Sequence, residues 1–258
     1  HATCSFRVFV QDFTPPVAVC DEFTVVAIGL DDPYDCYAPN NQPGDCSSGG
    51  IAWMKATTFD DGSYDNCGGV KFTVRRMEST LSDCILGLNQ TNGFDINGNN
   101  VDGSAANCFD SSPDFPSEYE RAVADADSIK FYCCEVGTTQ TVILSVIQLN
   151  EDGSVFMTSN GQPLKNECMV QVEVQDKLKP TCVAPANVTV TCELFDPSLW
   201  AYGNAVPSDN CCLDTTKVFQ GQCGLTNSVN YSQFDSLCNK GTITRNWTSY
   251  DCHGLTST

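Results

Sequence analysis

Two segments of this chain match each other without a gap: CSFRVFVQDFTPP, from Cys4 to Pro16, and CMVQVEVQDKLKP, from Cys168 to Pro180. Phe6, Val8 and Val10 in the first, like Val170, Val172 and Val174 in the second, recur at every second position. That is the period of a β-strand with one buried face. Each run ends in Gln-Asp and reaches a proline four residues later, where a sheet ladder loses a donor. Another alternating run then begins: AVCDEFTVVAIG from Ala18, and ANVTVTCE from Ala186. Each match therefore marks the border between a finishing strand and a starting one.

This border divides the chain into residues 1–15, a closing strand and linker; 16–178, a complete module; and 179–258, a second module whose closing strand is missing. The last readable strand of the second module is GTITRNWTSYD, followed by CHGLTST. Setting the opening residues after it supplies the missing strand. The joined module has about the size of an immunoglobulin-like sandwich. The expectation is one period of a tandem array, or a first strand that completes a second-type module in its own or a neighbouring chain.

Strands rich in Val, Ile, Thr and Phe are separated by turn signals such as DDGS, NEDG and SNG. NEDG, Asn150 to Gly153, reads as a hairpin turn. Only SEYERAVADADS, Ser117 to Ser128, has helical character. The fold class is all-β: two immunoglobulin-like β-sandwich modules, the first with a long disulfide-rich insertion at about residues 80–130, held by Cys84 and Cys108.

Seventeen cysteines without a CxxC pair, beside two histidines, point to disulfides rather than zinc. Disulfides persist in oxidising surroundings, so the protein is expected outside the cell or on its surface. The joined second module holds eight cysteines, at 4, 182, 192, 211, 212, 223, 238 and 252, and the first holds nine. The vicinal pairs Cys133–Cys134 and Cys211–Cys212 sit where strand neighbours point to opposite faces, so each pair is expected to bond two different partners.

The net charge of −19 repels nucleic acid, and no apolar run is long enough to insert in a membrane. It also raises the prospect of divalent cations on acidic loops, and calcium wants six to eight oxygens. Three places offer them. Asp60, Asp61 and Asp65 surround the turn in DDGSYDNCGG. Asp95, Asn97 and Asn99 in DINGNNVDG follow the alternating ligand positions of an EF-hand loop, but Asn100 replaces its glycine and Ala106 its terminal acid. Asp12 and Asp176 occupy matching places before the two linkers, where calcium can bridge adjoining modules. The competing reading is an Asp that caps a backbone amide. No catalytic set is expected. GDCSSGG, Gly44 to Gly50, has a serine-protease look, but His1 and His253 are not placed as a general base. Trp247 shares a strand face with Ile243 and reads as core, and Asn89, Asn187, Asn230 and Asn246 are glycosylation sequons.

The strand–VQD–linker–strand pattern, with RNWTSYDCHG before it, resembles tandem HYR-type and immunoglobulin-like repeats. PPVAVCDEFTVVAIG, FDDGSYDNCGGVKFTVRRM, FYCCE and CMVQVEVQDKLKP are similar to repeats of very large Bacteroidota surface proteins of the gliding-motility-adhesin kind. The resemblance implies a non-catalytic role in a filament or adhesin. Its expected partners are neighbouring copies of the repeat, with surface glycans as a further target. It also implies an O-glycan pattern at Ser128, Thr215 and Ser236.

Overall fold

The computed structural model describes residues 4–8, 12–29, 50–78 and 123–258. The described residues are mainly strands, joined by turns and single-turn 3-10 helices. Before the second linker come β1 (Phe23–Ile28), β2 (Ile51–Lys55), β3 (Val70–Arg76), β4 (Ser128–Tyr132), β5 (Thr139–Gln148) and β6 (Lys165–Asp176). After it come β7 (Thr181–Val183), β8 (Val206–Ser208), β9 (Leu225–Asp235), β10 (Lys240–Tyr250) and β11 (Thr256–Ser257).

The first module is organised around β6. Its alternating pattern puts Val170, Val172, Val174 and Asp176 inside. On one side β6 pairs in parallel with β1, and on the other it pairs antiparallel with β5, giving the sheet order β1-β6-β5-β3. The inward residues of that sheet pack with Phe59 and with Ile129 and Phe131 of the β2–β4 pair in one core. The Cys20–Cys168 disulfide ties the approach to β1 onto β6. The NEDG turn forms as expected: Gly153 takes a positive φ of 83° and donates to the Asn150 carbonyl at 2.9 Å.

The second module repeats this frame. Residues 144–153 and 245–254 share one bonding pattern: Asn150 donates to the Ser154 carbonyl, and Asp251 to that of Leu255. Likewise Leu149 donates to Gly69 before β3, and Tyr250 to Gly224 before β9. β10 thus stands in for β5, and β9 for β3, in a sheet of order β11-β10-β9. Its core is small: Ala205, Leu225 and Trp247, joined by Phe219 and Cys182. Trp247 is core, as its strand position predicts.

Three expectations are corrected. ANVTVTCE is no strand, since residues 184–191 join no ladder, and Val188 and Val190 are exposed. Its counterpart β1 has one ladder partner, β6, so without such a partner the backbone has no bonds to make. The insertion stops before residue 130, because Ala126 bridges Val74 and Ile129 is core. The predicted helix ends earlier than Ser128: Val123 is helical, and residues 124–128 run into that bridge and β4.

Candidate functional site

The two modules meet at the segment Asp209-Asn210-Cys211-Cys212. Asp209 shapes it by accepting from the Cys211 and Cys212 amides at 2.9 and 3.0 Å. Asp65 does the same in the first module, with the amides of Cys67 and Gly68 at 2.9 and 2.8 Å. The turn pushes Cys211 into the first module's core, where it bonds Cys133. Gly50 donates to the Asn210 carbonyl at 2.8 Å, an approach so close that a Cβ at Gly50 would collide with that oxygen. Cys212 turns the other way and bonds Cys252. The vicinal cysteines do bond different partners. Cys133 and Cys134 do so from a 3-10 turn rather than a strand, and the Cys133–Cys211 bridge crosses the border along which the cysteines were divided.

Glu135 holds the Cys133–Cys134 turn. Its carboxylate accepts from the Tyr132 amide at 3.0 Å and pairs with Arg76 at 2.9 Å, both side chains being fully buried. The Arg76 guanidinium also donates to the Lys130 carbonyl at 2.6 Å and lies over the Phe131 ring. Burial pulls the Arg76 pKa down, and the Glu135 charge opposes that.

Beside this joint lies an acidic cluster. β6 ends at Asp176, the Asp209 turn faces it, and the end of β10 supplies Asp251. One oxygen from each lies within 4.8 Å of the others. Asp176 accepts from the Leu178 amide at 3.1 Å and from Asn210 Nδ2 at 3.2 Å, and its second oxygen meets His253 Nδ1 at 3.2 Å. Asp251 Oδ1 accepts from the His253 and Leu255 amides at 2.9 and 2.7 Å. Burial, together with the Asp176 and Asp251 charges, raises the Asp209 pKa against the pull of its two amides.

Of the sequence candidates, Asp176 alone enters this cluster. Asp12, its counterpart, caps the Thr14 amide at 2.9 Å, so both readings of this pair meet at Asp176: it caps an amide and belongs to a carboxylate group. Asp60 caps Ser63 at 2.8 Å and Asp65 its own turn, while Asp61 is exposed, and the three form no shared group. Asp95, Asn97 and Asn99 lie outside the described residues. Asp209, Asn210 and Asp251 were missed. The signal for them was present in the DNC triplet common to Asp65–Cys67 and Asp209–Cys211.

The second notable feature is an edge. β5 is covered along Thr139–Ile147 by β6. The matching edge of β10, Lys240–Thr248, has no strand on it among the described residues, β11 reaching only Ser249 and Tyr250. Val183, Val188, Val190 and Leu194 are also exposed. Phe6 and Val8, the counterparts of buried Val170 and Val172, are 88% and 70% exposed and belong to no strand. Cys4 and Cys182 are free thiols, whereas Cys168, the counterpart of Cys4, is bonded to Cys20.

No helix of the described residues is long and apolar enough to cross a membrane. No family model, no curated protein and no solved structure matches this chain.

Proposed function

We propose that this chain is a structural repeat unit of an extracellular filament or giant surface adhesin. Its two modules are read as immunoglobulin-like sandwiches, the second completed by a Cys4–Asp12 strand from a neighbouring copy. The observations that carry this reading are the bare edge of β10 and the run 184–191, which joins no ladder. In the first module the same two elements are joined through β6. A strand added there would gain main-chain bonds on both sides, the β-augmentation mode of assembly. It would also bury Phe6 and Val8, at about 1.5–3 kcal/mol each when fully covered. Cys4, whose counterpart Cys168 is bonded to Cys20, would gain a partner in the free thiol of Cys182. Disulfides such as Cys20–Cys168, Cys133–Cys211 and Cys212–Cys252 support an oxidising, extracellular setting.

The test mixes isotopically heavy and light copies, refolds them under oxidising conditions, and maps the disulfides by mass spectrometry. Heavy–light peptides joining Cys4 to Cys182, together with fibres in electron micrographs, are expected. Free thiols at both positions in a monomeric product would refute strand donation. A second reading, a calcium-dependent glycan-binding module, draws on the buried carboxylate cluster. Calcium-dependent retention on a glycan array, unaffected by blocking Cys4, would favour it.

A further inference from the structure

We infer that Asp176, Asp209, Asn210 and Asp251 form a calcium site that locks the joint between the modules. The inference does not depend on strand donation, because all four residues belong to one chain. Three carboxylates converge at the border, with Asp251 2% exposed and Asp176 also buried. Burying that much like charge is costly unless a cation answers it.

The cluster alone would be only acidic surface. What points to a ligand is a pair of buried polar atoms left without a partner. Asn210, 5% exposed, has no hydrogen bond to Oδ1, and Asp251 has none to Oδ2. Asn210 is held against the cluster by its bond to Asp176, and Asp251 Oδ1 is occupied by two amides, leaving Oδ2 for another ligand.

The geometry fits a single ion. Oxygens bound about 2.4 Å from calcium on opposite sides are about 4.8 Å apart, and adjacent ones are closer. One oxygen from each carboxylate meets that limit. The converging donors are carboxylate oxygens, which select a hard cation over zinc or copper. The neighbouring sulfurs of Cys212 and Cys252 are bonded to each other and do not compete. Calcium accepts irregular oxygen cages, whereas magnesium requires a near-ideal octahedron. The ligands come from β6 of the first module and from the turn and β10 end of the second, so the ion would fix the angle between modules.

Calorimetric titration of the EDTA-treated, disulfide-intact protein with CaCl₂ in 0.15 M salt tests this. One saturable event per chain is expected, with magnesium at least about tenfold weaker. Asp251→Asn and, separately, Asp209→Asn are expected to weaken calcium by about tenfold or more, because each removes a charge while keeping the shape. Asp61→Asn, on an exposed turn, is expected to bind as the parent does. An absent or unsaturable heat on the parent protein overturns the site whatever the variants do. Equal binding of magnesium, or unchanged calcium binding in a folded Asp251→Asn protein, overturns it as well.

Discussion

The buried Arg76–Glu135 pair shows how one charge can govern the position of two cysteines. Glu135 bonds Arg76 on one side and closes the Tyr132 turn on the other. The turn aims Cys133 at Cys211. Glu135→Gln keeps the shape but leaves the Arg76 charge buried without its counter-ion. Breaking a buried pair in this way costs about 3–5 kcal/mol. The expected outcome is a loss of that size in denaturant unfolding, with slower formation of Cys133–Cys211 on oxidative refolding followed by quenched mass mapping. A variant within about 0.5 kcal/mol of the parent would mean that the pair contributes little.

At the scale of elements, the sequence was legible wherever an alternating run carries its own turn chemistry. β5, β6 and β10 show their faces in Val142, Val172 and Trp247, and the hairpin after β5 follows from Asn150 and Gly153. Legibility failed where an element depends on a partner distant in sequence. ANVTVTCE alternates as well as FTVVAI does, yet FTVVAI is a strand only because β6 lies beside it. The partners of Asp176 in the carboxylate cluster were hidden for a related reason. Asp209 and Asp251 are 42 residues apart in number, and only the packing of a turn against the end of β10 brings them to Asp176. The small second core gives a sharper expectation. Trp247 stacks edge-on with Phe219 at 5.2 Å and covers Leu225 and Ala205. Trp247→Ala should cost about 3–5 kcal/mol. Because the first core is separate and larger, hydrogen exchange should show β9 and β10 losing protection while β5 and β6 keep theirs. Uniform loss across both modules would instead show that they unfold together.

Across the whole molecule, covalent ties and packing hold two unequal cores together. Cys133–Cys211 closes a loop of 78 residues and crosses the border, whereas Cys212–Cys252 stays within the second module. In the chain-entropy picture a loop of that length is worth about 4–5 kcal/mol. The second module also leans on the first non-covalently, through the Gly50–Asn210 bond and the burial of Cys211 in the larger core. Replacing both Cys133 and Cys211 by serine removes the tie without leaving an odd thiol. Two well-separated thermal transitions are then expected in calorimetry, the lower belonging to the second module with its small core and falling below its position in the parent. Calcium should raise that lower transition if the carboxylate cluster still spans the joint, since Asp176 lies on one side and Asp209 and Asp251 on the other. A single transition in the double variant would place the coupling in packing and the carboxylate cluster, with the disulfide adding strength but not cooperativity.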